Sequence, residues 1–357
     1  MGCPSVSVIL LNYNGLRFLE PCLESLKRTR YSNFRVILVD NGSTDGSQEF
    51  VRARYPDFVT PVFNRENLGF SKAMNQVLQR EELCGKYVVL LNNDTEPQQH
   101  WLEELVKVAE SDSSVGALQP RLLSLRDPRY FDYNGAAGGY LDRYGYTVCR
   151  GRIFYSIEQD NGQYDDMLET LWAGGPAIFL RHDILSDTGY LDEDFWAYFE
   201  EIDLCWRIRL RGYKVLCVPS SVVYHYWGGA NTPRVQYFNH RNNLLTLIKN
   251  YSWLHVLRYV PGRAILDLAN VGYALSKGDL RWAMAIVSAH VWILLHLPLV
   301  LRRRREVQRL RRVPDAEIMR LMLRHSVVLQ FFLQGRRDFS TLSGLPSVVQ
   351  ASQGTGS

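Results

Sequence analysis

The sequence lacks any Cys-x-x-Cys pair: its six cysteines (Cys3, Cys22, Cys84, Cys149, Cys205, Cys217) are scattered without zinc-type spacing. It also lacks a secretory signal pattern at its start, so these cysteines are expected as reduced thiols in the cytosol. No internal repeat is visible. Large net charge is missing too. A formal value of +4 over 357 residues argues against generic nucleic-acid binding. Such positive excess as exists gathers after Leu301, beginning with Arg302-Arg303-Arg304-Arg305. The remaining composition, 46% hydrophobic and 22% charged, is that of an ordinary globular protein. The length admits one large α/β domain with an appendage, or two domains.

What is present is alternation. Short apolar, mostly β-favouring runs at 6–11, 35–39, 59–63, 87–91 and 115–118 predict strands. Between them, helical patterns are expected over 16–27, 48–54, 67–79 and 101–110. Strand alternating with helix at this spacing predicts a Rossmann-like α/β unit, its sheet mostly parallel and covered by helices on both faces. From 127 to 164 the periodicity gives way to glycine, tyrosine and arginine, which predicts hairpins and loops lining a site. Further on, 171–180 is expected as a strand, 199–211 as a helix stopped by Gly212, and 214–218 and 222–225 as two strands. The α/β unit is expected to end near Tyr251.

Three of the early strands run into polar ends: Asn12-Tyr13-Asn14, Asp40-Asn41-Gly42-Ser43 and Asn92-Asn93-Asp94. Taken singly, each is a set of ordinary turn formers. In an open α/β sheet, however, ligands sit beyond the carboxyl ends of the strands, so three such ends predict a shared cleft.

These stretches, with Asn67-Leu68-Gly69-Phe70, Gly174-Gly175-Pro176-Ala177, Gly189-Tyr190-Leu191-Asp192-Glu193, Tyr198-Phe199-Glu200-Glu201-Ile202-Asp203 and His225, resemble the family 2 glycosyltransferases of the GT-A fold. The likeness is closest to the rhamnosyltransferase-like branch and covers residues 5–230 in the expected order. It implies an inverting transfer of a sugar, rhamnose-like or another hexose, from a UDP- or dTDP-sugar to a hydroxyl of a glycan or lipid-linked acceptor. It further implies that Asp40 recognises the nucleotide base, with Asn12 and Tyr13 walling its pocket, Asn67 and Gly69 beside the sugar or phosphates, and Asn14, Asn92 and Asn93 also on the donor side. Asn92-Asn93-Asp94 stands where the family has Asp-x-Asp, so Asp94 would hold Mg²⁺ or Mn²⁺, joined by His225. Asn92 departs from that motif and supplies no charge. The family's Glu-Asp pair reads Glu200-Glu201 here, which places Glu201 as the base that takes the acceptor's proton. A position in the first turn of a helix would also keep Glu201 ionised. Asp203 and Arg207, four apart, are expected to pair. Asp192, Glu193, Trp196 and Tyr198 are candidates for the acceptor side. The competing readings are a nucleotidyltransferase, for which no basic phosphate loop follows the first strand, and a non-catalytic binder of sugar nucleotides.

Beyond Tyr251 the chain is expected to form a helical region over 252–339 and a disordered tail over 340–357. Helices are predicted at 253–278 and 279–301. Residues 283–301 carry no charge and approach the ~20 residues a membrane span needs, but contain His290, His296 and Pro298. With the arginines that follow, this segment suits a helix lying in the membrane interface, so the expected location is the cytoplasmic membrane face. A helical subdomain with a solvated arginine face is the alternative.

Overall fold

Val6–Asn12 (β1) is apolar at nearly every position and buried on both faces, as a central strand must be. It lies at the heart of a computed structural model that describes residues 2–228 and 232–354. Leu16–Lys27 (α1) returns with Leu19, Cys22, Leu23 and Leu26 on one stripe, all buried. Phe34–Asp40 (β2), Ser47–Arg54 (α2), Val59–Phe63 (β3), Phe70–Leu78 (α3) and Tyr87–Asn92 (β4) continue the alternation. Thr95–Pro97 (β5), Trp101–Ser111 (α4) and Val115–Ser124 (β6) complete this half. One apolar core joins the sheet to α1, α2 and α4; a second lies on the other face, against α3.

A hairpin layer follows: Gly139–Asp142 (β7), Thr147–Cys149 (β8), Arg152–Ile153 (β9) and Ser156–Ile157 (β10). Leu168–Glu169 (β11) and Ala177–Arg181 (β12) return to the main sheet, then come Leu185–Thr188 (α5), Glu200–Leu210 (α6) and Lys214–His225 (β13). Among the described residues the main sheet runs β11-β13-β6-β12-β4-β1-β2-β3, with β5 paired to β13. It is mixed, where the alternation alone predicted a mostly parallel sheet: β12 is antiparallel to both β4 and β6. A parallel partner needs a crossover, commonly a helix. Hairpins separate β6 from β12, so β12 is free to enter in the opposite sense. The two strands expected at 214–218 and 222–225 are one strand along β6, its register shifting between Val218 and Val222. Pro219 cannot donate to the ladder, so the ladder opens there without the strand ending.

Pro233–Asn250 (α7) is capped by Thr232, whose hydroxyl accepts from Val235 N–H. It is followed by Trp253–Ser276 (α8), Leu280–Leu295 (α9) and Leu297–Leu310 (α10). The single helix expected over 279–301 is broken: α9 and α10 meet at a 75° bend. Pro298 in the first turn of α10 has no N–H to give, and its ring displaces the preceding turn's carbonyl. No helix among the described residues is long and apolar enough to cross a membrane.

Asp315–Met319 (α11), Met322–Leu323 (β14) and Val327–Phe332 (α12) fold back onto the hairpin layer, with β14 pairing β7 in parallel. Nor does order end at 339. Leu342, Leu345 and Val349 are buried in the core, and Ser347–Gly354 (α13) is helical. Three apolar side chains at that spacing suffice to dock a polar-looking tail. The last part of the expected tail, 355–357, lies outside the described residues.

Candidate active site

The carboxyl ends of β1, β2 and β4 meet because the strands are in register there, Asn12 opposite Asp40 and Leu11 opposite Asn92. Asn12 joins all three. Its amide donates to Asp40 Oδ2 at 2.7 Å and Ser43 Oγ at 3.1 Å, and its Oδ1 accepts from Asn93 Nδ2 at 2.6 Å. Gly15 is required beside them, since a Cβ there would collide with the Asn93 amide and come within 2.6 Å of Asn12 Oδ1. Tyr13 and Asn14 are exposed at the rim, and Asn14 ties the first loop to the second by accepting from Thr44 N–H at 2.8 Å.

Asp40, expected to recognise the base, is tied into its own loop. It is fully buried, and besides Asn12 it accepts from Ser43 N–H at 2.9 Å and Gln48 Nε2 at 2.7 Å. Its negative charge is spent on holding the loop that ends β2. The neighbouring Asn41 performs the matching task on the other side. It donates to Asn67 Oδ1 at 2.9 Å and accepts from Leu68 N–H at 3.0 Å, fixing the turn into α3. Gly69 in that turn has φ +79°, and a Cβ would come within 3.0 Å of the Trp196 ring. The donor-side and acceptor-side loops therefore touch.

β5 pairs with β13 so that Thr95 lies opposite His225, which brings His225 Nε2 to 3.3 Å from Asp94 Oδ1. Asp94 is partly exposed, whereas His225 is buried. On its other side Asp132 Oδ1 lies 3.0 Å from Nδ1, although no hydrogen bond to Nδ1 is in line. Burial pulls the His225 pKa down, but the Asp132 and Asp94 carboxylates outweigh it and push it up to about 10. Asp132 has no counterpart in the sequence reading, because it comes from the aperiodic stretch after β6. No three His, Cys, Asp or Glu side chains among the described residues converge on one point as a closed metal cage. The partly exposed Asp94 carboxylate offers an open site instead, completed by substrate oxygens and water, and His225 could join it only once a cation displaced the proton that the two carboxylates hold on its ring.

Glu200 and Glu201 begin α6. The two residues before them, Tyr198 and Phe199, take φ +70° and +71°, a left-handed pair rare outside glycine. This sharp turn swings the helix start against the sheet. Glu201's carboxyl lies 3.6 Å from where a Cβ of Gly175 would be, and Pro176 beside it accepts the N–H of Asn92 at 3.0 Å. The base candidate and the Asn92-Asn93-Asp94 turn thus share one short stretch of chain. Burial pushes the Glu201 pKa up to about 7, against the opposing backbone N–H groups of the helix start. So the helix terminus does not by itself keep Glu201 ionised, as position alone predicted; desolvation wins. Glu200 is raised well above the usual carboxyl range by burial and by its neighbour's charge, and its Oε2 has no hydrogen-bond partner among the described residues.

Of the acceptor-side candidates, Asp192 pairs with the buried Lys249. Glu193 is exposed and accepts from Asn75 Nδ2 at 3.0 Å. Trp196 and Tyr198 remain open to solvent, at 37% and 41%. Asp203 and Arg207 do pair, at 2.9 Å.

A family model described as glycosyl transferase family 2 matches residues 7–187. An N-acetylglucosaminyl-diphospho-decaprenol L-rhamnosyltransferase from Mycobacterium tuberculosis is 28% identical over 234 residues, 61% of this chain and 75% of that protein. Among solved structures, a mannosyltransferase from Pyrobaculum calidifontis, in complex with GDP-Man and Mn²⁺, is similar with a TM-score of 0.52 and 18% identity. That likeness covers 94% of this chain and 89% of that one. GalNAc-T7 with UDP, GalNAc and Mn²⁺ is similar with a TM-score of 0.53 and 15% identity, over 70% of this chain. This chain spans about half of that structure, 48%. Both likenesses concern the fold. The chain belongs to the family 2 glycosyltransferases and is a glycosyltransferase with a GT-A-like α/β fold.

Proposed function

We propose that this enzyme is an inverting, metal-dependent hexosyltransferase. Its donor is a UDP- or dTDP-sugar and its acceptor a hydroxyl of a glycan or lipid-linked saccharide at the cytoplasmic face of a membrane. The observation that carries the reading is the adjacency of Glu201 to the β4 turn through Gly175 and Pro176. With its pKa raised to about 7, Glu201 can accept a proton near neutral pH. The acceptor oxygen gives that proton to Glu201 and attacks the anomeric carbon from the face opposite the diphosphate. The bond from that carbon to the diphosphate oxygen breaks, the nucleoside diphosphate leaves with the electron pair, and configuration inverts. Asp94 and His225 would hold Mg²⁺ or Mn²⁺, which supplies neutralising charge to the diphosphate. Trp196 and Tyr198, both exposed, offer faces on which a sugar ring can stack.

Support for the membrane comes from α8 and α9. Leu254, Leu257, Ile265, Leu268, Met284 and Leu294 are each more than half exposed, far more apolar surface than a soluble face needs. Arg258, Arg281, Arg302 and Arg305 are exposed in the same helices or in α10, suited to anionic headgroups. The curated relative's lipid-linked acceptor is consistent with this placement. The reading is tested by incubating the protein and Mn²⁺ with UDP- and dTDP-hexoses and a lipid-linked N-acetylglucosamine acceptor. The anomeric configuration of the product is then assigned by proton NMR. One donor is expected to give a product of opposite anomeric configuration; a product of retained configuration contradicts the assignment.

A further inference from the structure

The turn that delivers Glu201 is not held from within its own element. Asn242, in the middle of α7, is completely buried, and its amide donates to the carbonyls of Ala197 at 2.8 Å and Tyr198 at 2.7 Å. Its own Oδ1 accepts from Arg241 Nε at 2.8 Å, and Arg241 Nη2 in turn donates to the Asp194 carbonyl at 2.7 Å. The carbonyls so held belong to the segment that ends in the left-handed pair Tyr198 and Phe199. A side-chain amide is suited to this place because it offers two donors from one nitrogen and an acceptor beside it. A carboxylate of the same shape would set oxygen against carbonyl oxygen, and an apolar residue would take both donors from the two carbonyls. Helix α7 lies outside the stretch matched by the family model, so nothing in that match assigns Asn242 a role.

We propose that Asn242 is a positioning residue: it locks the left-handed turn at Tyr198 and Phe199 and thereby aims Glu201 at the acceptor hydroxyl. The inference rests on the reading of Glu201 as the base. Asn242 touches no reacting atom, so its loss slows the chemical step and leaves nucleotide binding at the β1, β2 and β4 ends in place.

The test compares the full chain with Asn242→Asp and with Asn242→Ser, which keeps one donor and serves if the aspartate does not fold. Amide hydrogen exchange over 194–201, binding of UDP or dTDP with Mn²⁺, and kcat at saturating donor and acceptor are measured on the same preparations. In the variants, exchange in that segment should quicken about tenfold. Nucleotide affinity should stay within about threefold while kcat falls about 100-fold, the scale of a small misplacement of a reacting group. Unchanged exchange over 194–201 overturns the lock. Quickened exchange with kcat kept overturns the positioning role. If kcat is kept in Glu201→Gln while exchange in the Asn242 variants quickens, the lock is real but the base has been misassigned, which overturns the inference through its premise.

Discussion

The carboxyl group of Glu201 packs on Gly175, 3.6 Å from the position a Cβ would occupy there. A bare backbone at that point lets an acidic side chain from α6 lie beside the end of β4. Its raised pKa, near 7, follows from the same burial. Because the base must be ionised to accept a proton, turnover is expected to rise with pH through about 7 and to level off above it. A kcat profile flat from pH 5.5 to 8.5, under conditions where chemistry is rate-limiting, contradicts this.

The same shift has a consequence for stability. A carboxyl whose pKa is raised on folding contributes stability that is complete below its unfolded value of about 4.5 and is lost as pH rises through about 7. Glu201→Gln removes the cost of burying the charge. It should therefore stabilise the protein at pH 8 by on the order of 2–3 kcal/mol and hardly at all at pH 4.5. Thermal unfolding at the two pH values checks the sign.

Gly15→Ala introduces a methyl where the Asn93 amide lies, against Asn12. The Asn12–Asn93 hydrogen bond is expected to break while the fold survives, at a cost of about 1 kcal/mol. Since that bond joins the ends of β1 and β4, nucleotide affinity should fall about tenfold, one such interaction's worth. Isothermal titration with UDP or dTDP and Mn²⁺ measures it; unchanged affinity contradicts a donor site there.

Lys249 is buried between Asp192 and Asp203. Lys249→Met removes the buried cation between them, leaving Asp203 to Arg207 and Asp192 to the more distant Arg303, and should cost about 3 kcal/mol at neutral pH. Burial acts to raise the Asp192 pKa, but Lys249 dominates and holds it well below the usual range. The stability tied to that pair is therefore present above the unfolded pKa and lost in acid. The gap between variant and parent, read from denaturant midpoints, should narrow as pH falls below about 4.

Sequence made the first half of this molecule legible because each element there buries one face and shows it as a period. α1 and β3 lie where the pattern placed them, at Leu16–Lys27 and Val59–Phe63. Direction was not legible: the run that became β12 has no feature that distinguishes parallel from antiparallel pairing. Polar residues with inward roles were hidden as well. Lys249, Asn242 and Asp132 look like surface residues until the backbone groups and charges that satisfy them are in place. Asp40's hold on its own loop was hidden too, since a carboxylate at a strand end fits a ligand contact and a loop clamp equally well.

The exposed apolar face of α8 and α9 predicts binding to anionic vesicles. Leu257→Glu with Leu294→Glu, both on exposed positions, should lower co-sedimentation with phosphatidylglycerol vesicles about tenfold or more, the worth of two apolar side chains withdrawn from lipid. Equal sedimentation of parent and variant would show that this face serves something other than a bilayer.

Glu201→Gln, assayed for turnover and for nucleotide binding in parallel, separates a general base from a structural carboxyl. With the base removed, kcat is expected to fall by about 10²–10⁴-fold, the usual weight of a general base, with nucleoside diphosphate affinity unchanged. A variant that turns over at the parent's rate contradicts that role.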